Sequence, residues 1–359
     1  MNIEQLRIAG LRCFEEVAIE LDPGMNLFTG ANGAGKTSVL EAVFLLSHGR
    51  SFRSGAKDAL ARRGCSALSV FAELRRGDGR SVRSGLGRSG SRWEARIDGA
   101  TVPLGQLVQE CAVVCFDPGS HALISGGAEE RRRYLDWGVF HVEQDFLTCW
   151  RRYQRALKQR NSLLRTTPVT ADALYAPWEV ELAQTAQQID NLREAYLGLL
   201  RPLLVQSTSA LLGELGGMEL RYRRGWMDHV DLADQLREQR ARDVGRGHTT
   251  AGAHRADWTL AFECAPLREH LSRGQGKLAA LACMLAQAQL YAAHHGEWPI
   301  VCLDDLASEL DQAHQRSVIA QLTEAKAQIL LTGTESPLAM EGIPARMFHV
   351  EQGQLSRLL

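Results

Sequence analysis

Residues Gly30-Ala31-Asn32-Gly33-Ala34-Gly35-Lys36-Thr37 follow the spacing G-x-x-x-x-G-K-[ST]. They stand between a strand-like run, Asn26 to Thr29, and an apolar helical run. Phosphate oxygens need several backbone N–H groups pointing one way, and glycine lets the chain bend and approach without a Cβ clash. The helix that follows adds free N–H groups and the positive end of its dipole. In such a loop Lys36 would reach the β- and γ-phosphates of a nucleoside triphosphate, and the Thr37 hydroxyl would ligate Mg²⁺.

A second set of groups fits the same chemistry. Pro299 to Leu303 reads as a buried strand that ends in Asp304-Asp305. Beside the phosphate-loop strand, Asp304 would hold Mg²⁺ through water, and Asp305 would orient or deprotonate an attacking water. Upstream, Leu271-Ser272-Arg273-Gly274-Gln275 opens onto a small-residue helix, Lys277 to Ala293. That is a second helix N-terminus suited to anions. Two such devices with one phosphate-loop lysine suggest a site shared by two copies, in which Ser272, Gly274 and Gln275 of one copy cap the γ-phosphate held by the other. The alternative is a capped helix start, with Ser272 satisfying backbone N–H groups.

The elements needed to position these groups are legible from periodicity. Residues 3–28 alternate as strands, and 68–98 read as a meander of short strands with Gly-rich turns. Residues 128–164 and 171–215 are helical, with a break at Thr166-Thr167-Pro168 and a kink or boundary at Pro202. Beyond them come strands at 218–224 and 258–262 and further α/β units, ending in a hairpin around Gln352-Gly353. The expected class is α/β, with mixed sheets and an inserted helical arm. The division is a first lobe over 1–125, the arm over 126–217 and a second lobe over 218–359.

Composition narrows the function. The 359 residues are 45% hydrophobic with net charge −1, so a core is assured and bulk attraction to nucleic acid is absent. From Arg50 to Arg96, however, eleven Arg and one Lys face four acids, a local basic stretch suited to phosphate contacts. Arg50, Arg53, Lys57, Arg62, Arg63 and Arg131 to Arg133 are candidate DNA contacts, though each taken singly fits a surface charge or a structural pair better than a contact. Aromatics do not interleave them, so base stacking is not indicated. No run resembles a membrane span or a signal peptide, and the eight cysteines form no C-x-x-C pair. A cytoplasmic protein with buried thiols, no zinc and no membrane partner is expected.

The motifs together resemble an ABC-type P-loop ATPase head: Walker A at Gly30–Thr37, the signature at Leu271–Gln275, Walker B ending in Asp304-Asp305, and Ser308-Glu309-Leu310-Asp311 as a dimer-contact loop. More narrowly, the chain resembles the RecF family of bacterial recombination mediators, grouped with SMC and Rad50 heads. Arg50-Ser51-Phe52-Arg53, the run Glu130 to Asp136, Gly252 to Asp257 and Thr332-Gly333-Thr334 carry that narrower likeness, which spans almost the whole chain. The resemblance implies ATP and Mg²⁺ as cofactors, a homodimer formed on ATP binding, and DNA bound at gaps or single-strand/duplex junctions. It also implies RecO and RecR as partners, indirectly RecA, and a weak DNA-dependent ATPase acting as a switch. Asp305 stands where transport-type ATPases carry Glu, and Thr334 where they carry a switch His, which implies slow turnover. Ala253 replaces the usual Pro before His254-Arg255.

Overall fold

The computed structural model describes residues 1–53, 60–166, 169 and 171–358. The chain divides into two compact units, one of residues 1–120 and 284–359, the other of residues 121–283.

The first unit opens with β1 (Asn2–Ala9), β2 (Glu16–Glu20), β3 (Met25–Thr29) and α1 (Lys36–His48), then β4 (Ala67–Arg75), β5 (Ser81–Ser89), β6 (Arg92–Ile97), β7 (Ala100–Val102), α2 (Leu104–Glu110) and β8 (Val113–Phe116). The second unit holds α3 (Ala122–Ser125), α4 (Ala128–Val142), α5 (Phe146–Thr166), α6 (Asp172–Leu211), β9 (Met218–Arg223), α7 (Leu232–Glu238), α8 (Arg240–Arg246) and β10 (Asp257–Phe262). Helix α9 (Arg273–His295) begins in the second unit and ends in the first. The chain closes with β11 (Ile300–Leu303), α10 (Leu306–Glu309), α11 (Gln312–Glu324), β12 (Ile329–Gly333), β13 (Ala345–Glu351) and β14 (Gln354–Arg357).

Two six-stranded sheets build the first unit. One runs β2-β1-β4-β5-β6-β7 and is antiparallel throughout. Its strand β4 alternates buried and open residues, as a sheet with one face on the core should. The other runs β14-β13-β3-β12-β11-β8 and is parallel except at the β13–β14 hairpin. Its strands β3, β8, β11 and β12 are buried at every residue, the pattern of parallel strands covered on both faces. Helix α1 packs against β8 and β12 of one sheet and β4 and β5 of the other. That is why it is largely apolar and buried from Ser38 to Ser47. The buried Gln328 amide, just before β12, donates to Ile3 O and Asp22 O at 2.8 Å each and accepts from Ile3 N at 2.7 Å.

In the second unit α5 and α6 are antiparallel neighbours: Cys149, Arg152 and Arg160 meet Gln188, Glu181 and Glu179 in falling order. Three features differ from expectation. The helical run over 128–164 breaks at Glu143, whose backbone is extended, into α4 and α5. Helix α6 continues through both Pro177 and Pro202, which overturns the boundary alternative at Pro202; its packed face outweighs the lost hydrogen bonds. Residues 218–283, expected with the second lobe, cluster with the helical unit, because among the described residues β9 and β10 pair only with each other and Tyr222 bonds Asp190 of α6 at 2.8 Å. Of the expected break at 166–168, Thr167 and Pro168 lie outside the described residues, as does Lys57. Among the described residues no helix is long and apolar enough to cross a membrane. All eight cysteines are free thiols, five of them buried.

A buried ionic network secures the helical unit. Arg160, with no exposed surface, bonds Glu179 at 3.1 Å, Asp243 at 2.7 Å and Leu236 O at 2.9 Å, while Arg240 bonds Glu179 at 2.6 Å. Arg193 pairs in bidentate fashion with Asp136 at 2.8 and 3.0 Å. Removing one partner of such a pair strands the other charge in the core. Arg160→Ala is expected to destabilise the chain by about 3–5 kcal/mol, read as a shift of the urea midpoint at constant slope. A change below about 1 kcal/mol, the range of surface pairs, would show that the network is not a structural anchor.

Candidate nucleotide site

The loop Gly30 to Gly35 joins β3 to α1 at the carboxyl end of the parallel sheet, where open α/β sheets bind ligands. Two of its glycines are sterically required. Gly30 has φ +145°, and a Cβ there would lie 2.2 Å from Val350 O. Gly35, which caps α1, has φ +119°, and a Cβ would meet Cys13 Sγ at 2.5 Å. Ala34 is buried and its carbonyl accepts from Gly353 N at 3.2 Å, so the terminal hairpin braces the loop. Ala31, Asn32 and Gly33 are exposed. Lys36 is buried and its ammonium donates to Gly30 O at 2.7 Å and Ala31 O at 3.0 Å, folded back over the loop.

Neighbouring strands bring the carboxylates to the same place. Strands β11 and β12 lie side by side, and β12 adjoins β3. Asp304, just past β11, is buried, and its Oδ1 accepts from Thr37 Oγ1 at 2.9 Å and Thr332 Oγ1 at 2.7 Å. Burial pushes the Asp304 carboxyl up, opposed by hydrogen bonds from Thr332 and Thr37 and by the charge of Arg53; Asp305 pushes it further up. Asp305 has φ +51°, an uncommon backbone for a non-glycine residue, and its N–H donates to Thr332 Oγ1 at 2.9 Å. Lys36, Thr37, Asp304 and Asp305 line one cleft of about 260 Å³. The hydroxyl and carboxylate oxygens of Thr37 and Asp304 suit a hard cation such as Mg²⁺. Among the described residues no group of three His, Cys, Asp or Glu gathers as a metal cage, so further ligands would come from phosphate and water.

The cleft gives further residues a role. Thr332, marked in the sequence only as part of Thr332-Gly333-Thr334, bonds Asp304 and the Asp305 N–H, which shows once the order β3-β12-β11 is known. Arg12 and Cys13 also line the cleft, as does Arg53, first considered as a DNA contact. Thr334 is exposed and outside this lining.

In the second unit, Ser272 and Gln275 form a reciprocal cap on α9. Gln275 N donates to Ser272 Oγ at 3.2 Å, and Ser272 N donates to Gln275 Oε1 at 3.0 Å. Ser272 and Gly274 are exposed, and Gln275 is half-buried. Capping therefore accounts for the Ser272 side chain in the single chain.

The basic candidates separate. Arg131 is buried and bound to Asp257 at 2.7 and 3.1 Å, which removes it from any DNA surface. Arg132 is half-buried and donates to Ala256 O at 2.8 Å; Arg133 pairs with Glu129 and Glu130. Arg62 pairs with Glu15 at 2.9 Å, Arg63 is exposed, and Arg50 is half-buried, 5.8 Å from the Phe44 ring centre.

The RecF/RecN/SMC N terminal domain family matches residues 2–355. The chain is 49% identical to the DNA replication and repair protein RecF of Xanthomonas euvesicatoria pv. vesicatoria (strain 85-10), covering 99% of both chains. It is 38% identical to the protein of that name from Pseudomonas fluorescens (strain SBW25), covering 99% of this chain and 98% of the other. In fold it matches a solved structure of the recombination mediator protein RecF with ATP in the RecFOR pathway: TM-score 0.90, 24% identity, 99% of this chain and 97% of that one. An SMC head bound to the C-terminal winged-helix domain of ScpA matches with TM-score 0.60 at 14% identity, over 100% of this chain and 97% of the other.

Thr332→Val keeps the shape of that side chain and removes its oxygen. The variant is expected to lose about 1–3 kcal/mol of stability, the cost of leaving buried polar groups unpaired, and to weaken Mg²⁺-dependent nucleotide binding. Calorimetric titration with unchanged affinity would show that Thr332 does not position Asp304.

Proposed function

The chain belongs to the RecF family, and on that premise we propose that it is an ATP-operated switch of DNA repair and replication. Two copies close around ATP and Mg²⁺ and hold DNA at a gap or single-strand/duplex junction. With RecO and RecR they promote loading of RecA in the cytoplasm, supporting recombinational repair and SOS induction. The observation that carries the reading is the convergence of Lys36, Thr37, Asp304 and Asp305 on one cleft beside an amide-lined loop.

In this reading the backbone of Gly30 to Gly35 and the N-terminus of α1 bind the phosphates, and Lys36 turns from the loop carbonyls to the β- and γ-phosphates. Thr37 and Asp304 hold Mg²⁺, which supplies charge neutralisation when bound. Asp305 orients the attacking water. Its side chain is one methylene shorter than the Glu of transport-type heads, in keeping with slow hydrolysis used as a timer. Ser272 and Gly274 are exposed and Gln275 is half-buried, which leaves the turn open to the γ-phosphate of a second copy. A ligand bound only by the pair stabilises the pair by mass action. DNA contacts fall on phosphates from exposed cations such as Arg63.

Lys36→Ala is expected to lose ATP binding. Ser272→Arg is expected to keep ATP binding while losing ATP-stimulated affinity for gapped duplex, measured by fluorescence anisotropy over a salt series. DNA affinity indifferent to both salt and ATP in the unsubstituted chain would refute the reading.

A further inference from the structure

Arg12 follows β1 with a φ of +53°, and its N–H is held by Leu60 O at 2.9 Å. An L-residue keeps this backbone only where its surroundings impose it. From there the guanidinium grips Glu41 twice, Nε to Oε2 at 2.8 Å and Nη2 to Oε1 at 2.6 Å. Glu41 sits inside α1 with no exposed surface. Its Oε1 also accepts from Ser51 Oγ, and Arg53 Nη1 lies 3.7 Å from its Oε2. Packing alone does not explain a carboxylate here, since an apolar side chain would fill a core helix without the cost of desolvating a charge. Among the described residues, the one Glu41 carboxylate is shared by two guanidiniums, those of Arg12 and Arg53. Both cations line the cleft with Lys36, Thr37 and Asp304. The field of Arg53 extends to Asp304, whose charged form it favours.

We propose that Glu41 is a positioning residue of the nucleotide site, which clamps Arg12 and tethers Arg53 so that both guanidiniums meet the γ-phosphate of a bound nucleoside triphosphate. The inference rests on the ATP reading above and deepens it. The bidentate Arg12 pair is a fixed wall charge. The Arg53 contact is long, and Arg53 exchanges it for a phosphate oxygen when a triphosphate enters. The device senses phosphate number: ATP engages both guanidiniums, and ADP does not.

The test is calorimetric titration of ATP and of ADP, each with Mg²⁺, into the full chain and its Glu41→Gln, Arg12→Gln and Lys36→Ala variants. Glu41→Gln is expected to weaken ATP about tenfold, the scale of one displaced charge-assisted contact, and ADP less than about twofold. The double variant Glu41→Gln/Arg12→Gln should lose little more than Arg12→Gln alone, because both break one unit. Equal losses for ATP and ADP, no loss for ATP, or losses that multiply in the double variant would overturn the inference. If Glu41→Gln fails to fold, by its circular-dichroism melt, Arg12→Gln carries the test, and undiminished preference for ATP over ADP there is the contrary result. Normal ATP binding by Lys36→Ala would instead sink the nucleotide-site reading itself. Loss there, with Glu41→Gln unaffected, would sink only the present inference.

Discussion

One carboxylate oxygen, Asp304 Oδ1, ties its own segment to two others that line the cleft, the start of α1 and the end of β12. It accepts from Thr37 at the start of α1 and from Thr332 at the end of β12, while its own backbone N–H donates to Phe116 O at the end of β8 at 2.8 Å. Desolvation works against a buried carboxylate, and a hydrogen bond to a charged group recovers about 1.5–3 kcal/mol. Two hydroxyls and the field of Arg53 therefore offset much of that cost. The same contacts hold the phosphate loop in register with the strand that carries Asp304 and Asp305.

The second constraint is that α1 is both core and site. It lies between two sheets and is buried from Ser38 to Ser47, so its N-terminus is fixed relative to both. A ligand held at that N-terminus is coupled to the packing of the whole first unit. The charged residue in its interior, Glu41, is matched by the guanidiniums of Arg12 and Arg53, both of which line the cleft. The second unit answers the same demand for rigidity differently, by burying arginine–carboxylate pairs among its helices.

Much of this was legible in the sequence where the signal is local. The spacing Gly30 to Thr37 marks the loop between β3 and α1 because bend, donor and cation all fall within eight consecutive residues. The strand ending in Asp304-Asp305 is marked by its apolar run, and the final hairpin by Gln352-Gly353, both with positive φ. The rest depends on chain order in the sheet. Thr332, Arg12 and Glu41 gather only because β12 inserts between β3 and β11 and the segment after β1 passes over α1. Arg131, Arg132 and Arg133 looked alike as a charge run, but successive helical residues point about 100° apart, so one is buried, one half-buried and one exposed. Residues 218–283 resumed a strand–helix pattern that suggested a second lobe. Nothing in that pattern says that β9 and β10 pair with each other rather than with a larger sheet.

The account turns on a triphosphate that joins two copies, and the molar mass in solution tests it most directly. Multi-angle light scattering should find a species of 39.6 kDa without nucleotide and its double with ATP and Mg²⁺, returning to the single mass with ADP. A single mass at ATP concentrations where titration shows full occupancy would contradict the account.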